Sequence, residues 1–303
     1  MKPMNEERAC AGALSKTAVI AALALAYVSY AAPAHGRFDR TALAARGAAA
    51  GGATVSCANG IDAIFVNPAG LASVGGLEAY ADYAEPGLPA VSRETRLALG
   101  GGAGFASFGV GWYRLAGDAA GEDFIAAGAA RTVVSGTQGS YIAIGASAVA
   151  GRAAASAPNP SSESEWTPVG ADIGVIVRPL PVVSFGYAAG NLFDRDADDG
   201  GSGGWGRTVR WGFSYYWENA VTLSFARSAS GGETAQHFGI AARAAVPVEL
   251  IFGLSSGKAS GGVRWTGRRL RACVAFVPGE PSGATWMISC EGTLKPSREA
   301  EWR

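Results

Sequence analysis

Long apolar runs are what this chain lacks. After the stretch Ala18 to Tyr30 no segment approaches the roughly 20 apolar residues a membrane helix needs, although hydrophobic residues make up 49% of the 303. If the chain crosses a bilayer, it crosses as strands. Histidine is scarce too, with two residues, His35 and His237. Neither stands in a Ser, His and acid arrangement, and a lone histidine in a strand is read as pore-lining or hydrogen-bonded rather than as a base. Acidic and basic side chains balance at 25 each, so there is no basic field for nucleic acid. Cysteine is limited to four, and Cys10 lies before the apolar stretch, where it cannot be the lipid-modified first residue of a mature lipoprotein. An enzyme, a cofactor and a bound metal are therefore not expected.

What is present is period-two patterning. Val209, Trp211, Phe213, Tyr215 and Trp217 place large apolar groups on one face, whereas Arg210, Gly212 and Ser214 mark the other. After a tight turn at Glu218 and Asn219 the alternation resumes through Val221, Leu223 and Phe225. Ala171 to Val177 turns through Arg178 to Pro181 into Val183, Phe185 and Tyr187, with both prolines in the turn. About fourteen such segments of roughly ten residues follow one another. Their connections alternate between long polar stretches (Glu85–Thr95, Ala116–Asp123, Arg152–Trp166, Asn191–Gly206, Ser228–Thr234, Ser255–Ser260 and Pro278–Gly283) and short turns. The expected fold is all-β: a transmembrane, antiparallel, up-and-down barrel of about 14 strands with both termini on the side of the short turns. A soluble sandwich or solenoid is the alternative, and a solenoid should show a fixed repeat that is not found.

Ahead of the strands, Lys2, Arg8 and Lys16 precede the apolar stretch, and Ala32-Pro33-Ala34 offers the small residues of a cleavage site. The expected organisation is a signal peptide over 1–34, an inner segment over 35–76, a barrel over 77–294 and a polar tail over 295–303. The segment from Thr41 to Ala72 is rich in small residues and does not alternate, which suits a plug packed inside a barrel. The high glycine content, 44 residues, suits strands that approach such a plug closely. Cys273 and Cys290 fall on opposite faces of the last hairpin, so free thiols are expected there.

The run Ala49 to Ala53, followed by Asp62, Ala63 and Asn67-Pro68-Ala69-Gly70-Leu71-Ala72, resembles the amino-terminal signature of the PorV/PorQ group of outer-membrane barrels. These are similar to FadL-type transporters of hydrophobic compounds, whose hatch carries an Asn-Pro-Ala motif. Gly253, Gly261 to Val263 and Leu270 to Phe276 resemble that group as well. The resemblance implies residence in the bacterial outer membrane in contact with its lipid, and a hatch built from Asp62, Asn67, Pro68, Ala69, Gly70 and Leu71, with Asp62 fixing the hatch backbone by hydrogen bonds. Two functions are implied. One is passage of small hydrophobic molecules through the lumen; the other is a non-enzymatic, PorV-like role that receives or tethers secreted or periplasmic proteins. Polar loops such as Ser156 to Glu165 depart from the greasy capture loops of FadL-type transporters.

Other candidate motifs carry less. Gly253 to Lys258 has three residues between its glycines where a phosphate loop needs four. Asp194, Asp196 and Asp198 have calcium-loop spacing, but Asp199 takes the turn-glycine position and Trp205 that of the bidentate glutamate. Trp112, Tyr113, Trp205, Trp217, Trp265 and Trp286 are placed as an interfacial girdle. Gly100 to Gly104, with Gly109 and Gly111, read either as a kink that opens the wall sideways or as close packing on the plug.

Overall fold

The computed structural model describes residues 44–295, apart from 87–92, 117–119, 137–138, 156–163, 168, 194–206, 219, 231–232, 246 and 279–283. The expected leader, the acidic loop beginning at Asp194, Trp205 and most of the C-terminal tail lie outside the described residues.

Three short helical pieces come first: α1 (Ala45–Ala49) and the 3-10 turns η1 (Ile61–Phe65) and η2 (Pro68–Ser73). Strands follow as β1 (Leu77–Pro86), β2 (Arg93–Gly102), β3 (Ser107–Ala116), β4 (Ala120–Ser135), β5 (Tyr141–Ala155), β6 (Ser164–Trp166), β7 (Val169–Leu180) and β8 (Val183–Gly190). The wall continues through β9 (Thr208–Trp217), β10 (Val221–Ser230), β11 (Glu233–Ala245), β12 (Val248–Ser255), β13 (Lys258–Thr266), β14 (Leu270–Pro278) and β15 (Ala284–Lys295). Neighbours in the wall pair antiparallel, and the sheet closes because β1 pairs with β15 across Tyr83 and Ile288. The three-residue β6 pairs with Ala153–Ala155 of β5, just beyond the stretch of β5 that pairs with β7, so β6 and β7 occupy one wall position. The result is a closed antiparallel barrel of 14 strands. Closure matters because an open edge would leave a row of amides without partners, which a bilayer cannot satisfy.

The pleat separates two environments. Outward positions carry Leu97, Leu99, Phe108, Val110, Ile125, Ile144, Phe213, Phe238, Phe252 and Ile288, all exposed on the outer wall. An apolar belt running round the whole molecule exceeds the isolated patches of a water-soluble surface. In β9, Phe213, Tyr215 and Trp217 point outward as the alternation requires, while Val209 is buried. Trp217, Trp265 and Trp286 also lie on the outer face. Tyr113 departs from the girdle reading: it is buried inside, 4.6 Å from the Phe124 ring and beneath the Arg96 guanidinium. Its neighbour Trp112 takes the outward position, since consecutive strand residues face opposite sides.

The strict alternation of long and short connections does not hold. β12 and β13 are joined by Ser256 and Gly257 alone, β10 and β11 by two residues, and β3 and β4 by three. Polar residues counted as loop, such as Glu122, Asp123 and Ser228, belong instead to strands that run past the apolar belt, where an outward polar side chain meets water and an inward one meets the lumen. At Ser256 and Gly257 both φ values are positive (46° and 86°). That matches the turn whose twist fits a two-residue hairpin. Cys273 sits opposite Ser289 and is buried, whereas Cys290 sits opposite Ala272 and is exposed, so the parity argument holds and both thiols are free.

Candidate functional site

Residues 44–76 pack against the inner face of the wall. α1 packs on β12 to β15, η1 on β1 to β4, and η2 on β3, β4, β5 and β7. Glycines on the inner wall make this possible. A Cβ on Gly174 would collide with Asn67 Oδ1, one on Gly145 with the Pro68 carbonyl, one on Gly186 with Ser56, and one on Gly253 with Gly51. Gly109 and Gly111 likewise lie under Ile61 and Phe65, with 2.7 Å to each from a built Cβ. Gly100 meets Ile61 in the same way, so the glycine cluster of β2 and β3 is occupied by close packing on the inner segment.

Polar wall side chains then fasten the segment. Asp82 Oδ2 accepts the Ala45 N–H (3.0 Å), while Asp82 Oδ1 pairs with the fully buried Arg96 at 2.7 Å. Ser184 donates to the Ser56 carbonyl (2.8 Å), Ser260 to that of Ala49 (3.1 Å) and Ser107 to that of Val74 (2.9 Å). Ser56 and Ser214 hydroxyls bond at 2.8 Å. His237 places Nδ1 2.7 Å from the Gly51 carbonyl and Nε2 2.9 Å from Ser228 Oγ. It is a hydrogen-bonded lumen residue, consistent with its position in a strand.

Of the six residues singled out from the sequence, Asp62 lies in η1, Asn67 is the cap of η2, and Pro68 to Leu71 lie in η2. Asn67 has no exposure. Its Oδ1 caps η2 by accepting from Ala69 N–H (3.1 Å), and its Nδ2 donates to Val55 O (2.8 Å) and to Val175 O of β7 (3.3 Å). An asparagine has the acceptor and the two donors this requires; an aspartate would lack the donors. Pro68 follows as the first residue of η2, where its missing N–H costs nothing. Ala69 packs with Ala143 and Ile176, and Leu71 with Ile61, Ile64 and Val74. Gly70 faces the Ala58 carbonyl, which leaves 2.7 Å for a Cβ. Asp62 corrects its expected role. No hydrogen bond reaches its Oδ1, and the nearby Gly60 N–H is taken by Ser73 Oγ (2.7 Å). The carboxyl instead faces Glu291 of the wall, and burial together with that second carboxylate raises it to about 6.

At the junction of η1 and η2 lies an open-mouthed cavity of about 40 Å³. Ile64, Phe65, Val66 and Pro68 form its floor. Its walls are Arg96, Tyr113, Phe124, Ala126, Val149, Asp172, Ala188 to Gly190, Thr208 and Arg210. These lie in the strand halves nearest the connections 117–119 and 194–206. No run of sequence announced them, because seven strands each contribute one to three residues.

The closed 14-strand wall is shared with solved structures of transporters. The toluene transporter TodX of Pseudomonas putida aligns with a TM-score of 0.62 at 10% identity, covering 84% of this chain and 99% of that one. The toluene transporter TbuX of Ralstonia pickettii gives 0.59 at 11%, covering 85% and 100%. A FadL homologue of Pseudomonas aeruginosa gives 0.59 at 11%, covering 86% and 99%. At such identities the likeness is one of fold. No family model matches the sequence, and none of the curated proteins does.

Proposed function

We propose that this chain is an outer-membrane barrel that passes small hydrophobic molecules, with residues 44–76 acting as the plug and Asn67 to Leu71 as its hatch. The observation that carries the reading is the cavity resting on Phe65 to Pro68, bounded by Tyr113, Phe124 and Val149: an apolar-floored space inside the wall, seated on the segment read here as the plug. The apolar outer belt suits contact with acyl chains, and two of the structures that share the fold are named as toluene transporters. The barrel performs no covalent chemistry in this reading; the wall supplies a path and the hatch a gate. The PorV-like role of receiving or tethering a secreted or periplasmic protein draws support from the sequence resemblance alone.

The test is entry of toluene into lipid vesicles with and without the refolded protein. Faster entry with the protein, and a further increase for Asn67→Ala, supports a hatch-gated channel. Equal entry, with the barrel shown to be folded, overturns it.

A further inference from the structure

The cavity has two unlike sides. On one, Phe65 meets Tyr113 and Phe124, whose rings are 4.6 Å apart at 33°. On the other stand Asp172, Thr208 and Arg210. Asp172 is held in place by two donors, the Asn191 N–H to Oδ1 at 3.0 Å and the Ser147 hydroxyl to Oδ2 at 3.3 Å. A Cβ built on Gly190 would lie 2.7 Å from Thr208 Oγ1 and 3.0 Å from Asp172 Oδ1, so glycine is what fits beside these two oxygens.

Among the described residues, no positive charge around the cavity is left in excess. Arg96 is occupied by Asp82 at 2.7 Å and by Glu94, and Asp172 and Arg210 contribute opposite signs. An organic anion entering here would give up hydration without meeting a net countercharge. A plain hydrocarbon would press apolar atoms on Asp172 and Thr208 and return no hydrogen bond for the water it displaces. A hydroxyl can donate and accept at once, and so suits this side.

We propose that the cavity takes a small uncharged aromatic molecule with a hydrogen-bonding substituent, a phenol or an aromatic alcohol. The ring lies against Phe65, Tyr113 and Phe124, and the hydroxyl sits among Asp172, Thr208 and Arg210. The assignment rests on reading the chain as a channel for small hydrophobic molecules, and it is tested by binding rather than by passage. Full-length protein in detergent micelles is titrated calorimetrically with p-cresol, toluene and benzoate, and matched micelles without protein are subtracted.

The expected result is p-cresol binding at least about fivefold tighter than toluene or benzoate, about one hydrogen bond's worth of preference. Thr208→Val should reduce that preference from both sides, weakening p-cresol and tightening toluene, and Phe124→Leu should weaken p-cresol and toluene alike. Toluene binding as tightly as p-cresol, benzoate binding most tightly, or no p-cresol binding would overturn the assignment. Toluene entry into vesicles without a p-cresol preference in micelles sinks the cavity assignment alone. A preference in micelles with no entry of any probe sinks the channel reading and leaves the binding site standing.

Discussion

Asn67 is the residue through which the inner segment knows its own shape and its place in the wall. Its side chain bonds to Ala69 within η2, to Val55 earlier in the segment and to Val175 in β7. Asn67→Ala removes a cap and leaves two buried carbonyls without that donor, at a cost of about 1–3 kcal/mol. The expected outcome is an intact barrel in which limited proteolysis cuts the segment faster than in the native protein. The facing wall residue gives a second test. Gly174→Val would drive a side chain into Asn67, and an overpacked site of this kind costs about 1–3 kcal/mol. The segment should again become protease-sensitive, with Gly174→Ala milder.

Asp62 makes a pH prediction. Burial and Glu291 raise its folded value from 3.8 to about 6. The folded state then binds the proton more tightly than the unfolded one. Attachment of the segment is accordingly strongest below pH ~4, weakens as pH rises through about 6, and changes little above that. Protease protection of the segment should fall between pH 4 and 7, and Asp62→Asn should flatten that profile; an unchanged slope in the variant would assign the effect elsewhere.

At the scale of elements, hairpins were legible where a tight turn separated two alternating runs, as between β9 and β10, which pair from Trp217 and Val221 outward. Connection lengths were less so. Ser255 to Ser260 is polar and reads as a loop, yet it contributes residues to two strands joined by Ser256 and Gly257. Polarity marks a loop only if strands stop where the outer apolar belt stops, and these strands continue past it. Gly257→Val, at φ +86°, should lower the urea midpoint of this hairpin's protection from hydrogen exchange by the equivalent of about 1 kcal/mol. Serine at 256 should tolerate replacement by asparagine, which suits positive φ.

The molecule as a whole is a ring of hydrogen bonds without an end, since β1 and β15 pair along ten positions from Leu77 to Pro86. A closed wall must open several ladders at once to unfold. The purified protein should therefore migrate anomalously in SDS until boiled, and identical migration before and after boiling would contradict closure.

The sequence by itself determined the strands, their two faces, the opposite facing of Cys273 and Cys290, and the separate character of the residues before β1, because period-two alternation and its interruption are local properties. Tertiary structure alone decided the rest. Whether Tyr113 or Trp112 faces outward, which glycine receives Asn67, why Asp62 meets Glu291 instead of capping backbone, and where a cavity remains all depend on residues brought together from opposite sides of a closed wall. Such meetings are fixed by pairing register and lumen volume, and neither is written in any one stretch of the chain.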